Sequence, residues 1–453
     1  MAIVKTLSVV LAFVIVSGTL IFGTSSAQNV AVANVPAEPL DLSQSHDTNQ
    51  RLCRGADEPD VRIQACSSII LAELVTEADL AEAYCGRAIG YGHKGDYENA
   101  IRDYDRAILL NPDYSEAYYG RGWTYEYKGE YDRAVKDFNQ ALQVNPNYAA
   151  ALRERGIVLA RQNNYRGAIQ DYNDAVRLNP ADAIAVFDRG HAFAHLGEYD
   201  RAIRDYGQAL LLKPKFVEAL YGRGRAHAAK GALDSAIEDY TEAIGIDPNY
   251  FEAFHSRGLI YRRMSDYDHA IKDFSEALRI NPNNPELLTL RGNLHAAKHE
   301  YDDGLRDFDA VLSINLNSAD ALYGRARIYQ AEGKYDLAIH DFDQVLVITP
   351  KDEDAIYGRG LSYAQKGDDE HAIRDYDLVL EINPNYRAAI YSRSRAYFHI
   401  GNYLRATGDR ARFLWLRFES FGVTMRVFLL LSAGLGFAVC FKRFRKTFDP
   451  RTA

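Results

Sequence analysis

Arginine recurs through this chain at one fixed interval, at Arg87, Arg121, Arg155, Arg189, Arg223, Arg257, Arg291, Arg325, Arg359 and Arg393. An aspartate follows each of them at an equally constant distance, at Asp103, Asp137, Asp171, Asp205, Asp239, Asp273, Asp307, Asp341, Asp375 and Asp409. Opposite charges at matched spacing have two chemical uses. Paired, each guanidinium grips a carboxylate with two donors and braces the fold. Unpaired, a row of guanidiniums binds an anionic ligand. Other chemistry is scarce. His191 and His195 lie four apart in "HAFAH", a spacing that can ligate a metal from one helix face. No glutamate stands between them, so the metalloprotease motif is absent. Histidines scattered along a periodic chain are the plainer reading, and no metal or cofactor is expected. No phosphate-binding glycine loop with lysine and no nucleophile elbow occurs. No catalytic residue can be nominated, and the chain is not expected to be an enzyme.

These charges must be positioned by the elements that share their period. With Ser115 as a first position, ten repeats begin at Ala81, Ser115, Ala149, Ala183, Val217, Phe251, Pro285, Ala319, Glu353 and Arg387. The fourth position is large and apolar, as in Tyr118, Leu152 and Val186, and the eighth is small, as in Gly122, Gly156 and Gly190. The eleventh is mostly aromatic, as in Tyr125, Phe193 and Tyr261. The spacing places these on one stripe of a helix. A turn follows, usually with glycine, such as Gly95 and Gly129. A second helix carries a small twentieth position (Ala134), an aromatic twenty-fourth (Phe138) and a small twenty-seventh (Ala141). Asn-Pro steps such as Asn145-Pro146, with Pro214, Pro248 and Pro350 in the same phase, then stop it, because proline cannot continue a helix and extends the residue before it; Leu316 is the one break in this series of prolines between repeats. Arginine occupies the seventh position and aspartate the twenty-third. Both point at least partly inward, so each needs a partner. The economical assignment is one pair per repeat, including Arg121–Asp137, Arg189–Asp205 and Arg223–Asp239.

The pattern resembles the tetratricopeptide repeat (TPR) over residues 77–416. The resemblance implies an all-α solenoid of about ten helical hairpins wound as a right-handed superhelix, with first helices lining a concave face. It departs from the family at the seventh position, where the usual residue is leucine. Ligands of the family lie in the concave groove, lined by the second, fifth, ninth, twelfth and thirteenth positions. Here these positions hold Tyr119, Trp123, Phe187, Tyr221, Arg225, Arg262, Arg263, Tyr323, Arg327, Tyr357 and Tyr391. Core packing does not require aromatics at the fifth position, and rings with arginines favour protein contacts, so a segment of a partner protein is expected there. The plainer alternative is that the tyrosines cover neighbouring helices. The family's carboxylate clamp needs lysine at the fifth position and asparagine at the sixth and ninth. No repeat has that set; Asn293 stands beside Thr289 and Leu290.

The two ends read differently. "MAIVKTLSVVLAFVIVSGTLIFGTSSAQ" has a lysine, an apolar run and small residues at Ser25 and Ala27, the pattern of an export signal over residues 1–27; an uncleaved anchor is the alternative. Residues 28–48 read as a flexible lead-in and residues 49–76 as a capping half repeat. Cys53 and Cys66 could close a small loop as a disulfide in an oxidising compartment, the alternative being two buried thiols. After a connector at 417–426, residues 427–441 are uncharged and mostly apolar, and 442–453 are basic. A membrane helix with a cytoplasmic tail fits the positive-inside rule, although it is short for a span; a capping helix is the rival. The net charge of -9 is uneven, since residues 409–453 carry +6 and leave about -15 for the rest. An acidic body argues against nucleic acid as a partner. Resemblance to exported bacterial repeat proteins implies a scaffold on the bacterial inner membrane, its repeats in the periplasm, serving envelope assembly or complex recruitment. The alternative is a regulatory subunit, or a repeat domain for a polyanion or glycan.

Overall fold

The structure is a computed structural model that describes residues 46–72 and 75–417. Among these residues there are 22 α-helices and no strand. The chain divides into two compact units, one ending at Asn111 and the other starting at Pro112. The expected signal at 1–27, nearly all of the lead-in and the apolar stretch 427–441 with its basic tail lie outside the described residues. Among the described residues no helix is long and apolar enough to cross a membrane.

In the first unit, helices His46–Gly55 and Pro59–Ile70 precede the hairpin Glu77–His93 and Tyr97–Leu110. Cys53 and Cys66 form a disulfide inside a small core with Ala65, Ile69 and Ala83. A Cβ at Gly86 would meet Cys53 Sγ at 2.8 Å and Cys66 Sγ at 2.9 Å, so only glycine lets that helix cross the bridge. Thr76 caps it by accepting from the Asp79 amide.

The second unit holds hairpins 2 to 10, from Ser115–Tyr127 with Tyr131–Val144 to Arg387–His399 with Tyr403–Arg417. The first (A) helix of each hairpin packs on its own second (B) helix and, from hairpin 3 onward, on the B helix before it. Every A-to-B turn needs a residue in the left-handed region. Glycine supplies it at Gly129, Gly197, Gly231, Gly333, Gly367 and Gly401, and Asn163, Ser265 and His299 adopt it with φ of 61–63°. B helices end on an extended residue such as Asn145 (φ -127°, ψ 91°). Asn315 has the same geometry (φ -141°, ψ 99°) although Leu316 replaces the proline after it. The stop is therefore imposed by the stacked neighbours as well as by proline.

The core of each of hairpins 2 to 9 is one aromatic ring in a cage of small residues. Phe138, Tyr172, Tyr206, Tyr240, Phe274, Phe308, Phe342 and Tyr376 are almost wholly buried, beside alanines such as Ala134 and Ala141. A Cβ on Gly122 would meet Phe138 at 2.9 Å, and one on Gly258 would meet Phe274 at 2.7 Å. From the next hairpin, a Cβ on Gly222 would meet Tyr206 at 2.8 Å and one on Gly324 would meet Phe308 at 2.3 Å. Helix propensity is given up, about 1 kcal/mol per glycine, so that backbone can lie against a large buried ring.

Candidate partner-binding groove

The arginines flanked by these glycines are held in one way throughout. Each guanidinium donates from Nε and Nη2 to the aspartate of its own hairpin at 2.6–3.1 Å, in Arg87–Asp103, Arg121–Asp137, Arg155–Asp171, Arg189–Asp205, Arg223–Asp239, Arg257–Asp273, Arg291–Asp307, Arg325–Asp341, Arg359–Asp375 and Arg393–Asp409. The carboxylates are buried and the arginines mostly so. The remaining edge, Nη1, reaches back to the preceding hairpin's twenty-fifth position: Arg155 to Asn139 at 2.6 Å, Arg189 to Asn173 at 3.0 Å, Arg257 to Thr241 at 2.7 Å, Arg325 to Asp309 at 2.7 Å and Arg393 to Asp377 at 2.5 Å. Arg223 instead faces Gly207, whose added Cβ would stand 4.0 Å from Nη1. These guanidiniums stitch hairpin to hairpin, and their donors are not turned outward to a ligand. The polar twenty-fifth position was a readable signal that attention to the pairs alone passes over.

The fifth-position rings are half-buried, which corrects the expectation that packing does not call for them. Tyr119 lies 6.0 Å from Phe138 and 5.0 Å from Tyr148, Phe187 lies 5.6 Å from Tyr206 and 4.8 Å from Phe216, and Tyr221 lies 5.7 Å from Tyr240 and 5.5 Å from Tyr250. Tyr323 sits on Phe342, Tyr357 on Tyr376 and Tyr386, and Tyr391 on Phe413. Apart from Tyr391, each ring covers the caged core ring of its own hairpin, and Tyr119, Phe187, Tyr221 and Tyr357 also meet a second ring at Tyr148, Phe216, Tyr250 and Tyr386.

Phe187, Tyr221 and Arg225 come together in a cavity of about 310 Å³ between the A helices of hairpins 4 and 5, Ala183–His195 and Val217–Ala229. Tyr206 and Tyr250 form its aromatic floor, and His191, His195, Tyr199 and Glu218 complete its walls. The His191 and His195 rings meet edge to face at 4.6 Å, and Tyr165 stacks on His195 at 4.6 Å. Burial, then the neighbouring His195 and Arg225, hold His191 below the usual imidazole range, which keeps it neutral and able both to donate and to accept. Arg225 lies over Tyr221 at 5.8 Å. The site can thus enclose an apolar or aromatic group and meet a polar one at its rim. Sequence reasoning saw the two histidines but not that they wall a cavity with rings of the following repeat. Other groove candidates lie elsewhere. Trp123 packs on Tyr127 at 4.2 Å in hairpin 2, Arg262 and Arg263 are exposed on hairpin 6, and Arg327 donates to Tyr323 at 3.2 Å in hairpin 8. Among the described residues no group of three or more His, Cys, Asp or Glu side chains is placed to hold a metal.

Tetratricopeptide-repeat sequence models match residues 81–114, 115–148 and 251–284, residues 187–251, and residues 353–386, and TPR-repeat models match 158–197 and 326–367. Among solved structures, YrrB, described as a TPR protein with an unusual peptide-binding site, is 29% identical, with 39% of this chain and 91% of that one covered at a TM-score of 0.36. MamA from Desulfovibrio magneticus is 24% identical, covering 39% and 99% at 0.37. The C-terminal part of a TPR repeat-containing protein from Cytophaga hutchinsonii is 19% identical, covering 53% and 97% at 0.45. No curated protein matches the chain.

Proposed function

Because the chain belongs to the tetratricopeptide-repeat family, whose members serve as protein-interaction scaffolds, we propose that it is a non-enzymatic scaffold that binds a segment of a partner protein along its A-helix face. The observation that carries this reading is the cavity lined by Phe187, Tyr221, His191 and Arg225. Half-exposed rings give contact area at small entropic cost, and an arginine at the rim supplies directed donors. The braced guanidiniums are engaged within the fold, which favours a protein segment over a polyanion. The finer placement is export to the periplasmic side and anchoring through residues 427–441, for envelope assembly or complex recruitment. It rests on the sequence of the two ends.

Crosslinked affinity capture from membranes tests the site. The full chain is compared with a variant carrying Arg225→Ala and His191→Ala, two side chains that line the cavity outside the caged core. A partner captured by the intact chain and lost from the variant supports the cavity. Equal capture by both places the contact elsewhere.

A further inference from the structure

The cavity between hairpins 4 and 5 comes from a local departure from the repeat. The A helix of hairpin 5 lines it with Gly222, Ala226 and Ala229, its sixth, tenth and thirteenth positions. Of the ten A helices it alone has nothing larger than alanine at all three. The same positions hold Ser256, Ile260 and Arg263 in hairpin 6, and Gly358, Ser362 and Gln365 in hairpin 9. On the facing helix, Ala194 at the twelfth position of hairpin 4 also lines the cavity. Hairpin 8 has Gln330 at that position. Its amide lies across the A helix of hairpin 9, donating to the Gly358 carbonyl at 3.0 Å and to Ser362 at 3.1 Å. Between hairpins 8 and 9 the chain thus fills this place with a side chain of its own. Between hairpins 4 and 5 it places only small residues there, and about 310 Å³ stays open.

The walls restrict what can enter. Phe187, Tyr206, Tyr221 and Tyr250 line the cavity with two histidine rings, and no aliphatic side chain larger than alanine's does. Such surfaces suit another planar ring, set edge to face or offset. A cage of rings alone would also draw a cation. Here Arg225 already lies over Tyr221 at 5.8 Å, and a second positive charge beside it would be repelled. Among the described residues Arg225 forms no ion pair, so its charge is open to a carboxylate. We propose that the cavity takes an aromatic side chain of the partner segment whose neighbour in that segment is an aspartate or glutamate, the ring entering between Phe187 and Tyr221 and the carboxylate meeting Arg225. This deepens the proposed function and rests on the A-helix face being the partner's groove.

The ring takes the place over Gly222 and Ala226 that corresponds to the one Gln330 fills over Gly358 and Ser362. Glu218 also lines the cavity, but it stands on the same helix as Arg225, seven residues away and so about 10 Å along the axis. The cavity is therefore acidic at one end and basic further along. An acidic neighbour of the ring is repelled from the first and attracted to the second, which also orients the segment in the groove.

The test uses the full chain, labelled with nitrogen-15 histidine, and two probes, acetyl-phenylalanyl-aspartyl methylamide and the same peptide in reversed order. Saturable shifts of the His191 and His195 ring signals are expected with at least one of them. Replacing phenylalanine by leucine in the probe should weaken binding about threefold or more, and replacing aspartate by asparagine about two- to fivefold at low salt. Arg225→Gln should abolish the second preference and keep the first. Ala194→Gln gives hairpin 4 the residue with which hairpin 8 fills the equivalent place; it should abolish binding of the probes, with an unchanged or raised melting temperature. Absence of saturation, a leucine or a lysine-for-aspartate probe bound as tightly as the parent, or unchanged binding by the Ala194→Gln chain would overturn the proposal. The probes read the cavity without any partner. Capture lost from the cavity variant together with unselective probes would sink the proposed occupant and leave the groove reading standing. Equal capture by both chains together with selective probe binding would strike the groove reading and uphold the cavity's preference for a ring beside a carboxylate.

Discussion

A buried guanidinium is tolerated in this protein because its donors are spoken for in pairs. Two go to the aspartate of its own hairpin and a third to the hairpin before. Removing one partner of such a buried pair is far more costly than the pair's net contribution, because a charge is left without compensation. Asp205→Ala should therefore destabilise by about 3–5 kcal/mol, read as a lowered denaturation midpoint; an unchanged midpoint would show that Arg189 finds solvent instead. The converse is available at Arg223, whose third edge faces Gly207 with open space between. Gly207→Asn should stabilise by about 1 kcal/mol, through one new hydrogen bond and removal of a helical glycine.

The helices show the same economy. Glycines in one kind of helix are paired with rings in the other, so glycine substitutions should split by what the new methyl group meets. Gly324→Ala brings a Cβ to 2.3 Å from Phe308, and overpacking of this kind costs about 1–3 kcal/mol. Gly245→Ala meets nothing within 4 Å on the exposed side of the helix Leu233–Ile246 and should stabilise by up to ~1 kcal/mol. Equal effects in denaturant melts of the two variants would mean that the ring cages are slack. The turns carry a related trade: Asn163, Ser265 and His299 adopt the left-handed φ that glycine supplies in the other hairpins. Periodicity made this level legible, because each helix packs only on its neighbours and the same contacts return with every repeat.

Across the molecule, stability is a sum of like terms with a local exception at hairpins 2 to 4. Glu126 and Asp188 have folded pKa values of about 7, above the ordinary carboxylate range. Between that range and about 7 the folded state holds more protons than the unfolded state, so stability falls as pH rises through the window. Their contribution is fullest below the unfolded pKa and gone above about 7. An E126Q/D188N variant should gain stability relative to the parent on going from about pH 5 to about pH 8; parallel curves for the two proteins would contradict the burial of uncompensated charge.

The chain's own order of residues determined the hairpins, their turns and stops, and the seventh-to-twenty-third charge spacing, because each depends on local spacing and on nearest neighbours that recur. Only the tertiary structure decided which groove residues act together. Phe187, His191, Tyr221 and Arg225 enclose one cavity while Arg262, Tyr323 and Tyr391 stand apart from it, and Arg161 of one hairpin meets Glu126 of the hairpin before it. The groove positions vary in type from repeat to repeat, so no period reports them. Their chemistry arises where side chains from different repeats meet across helices, a proximity that composition and spacing do not encode.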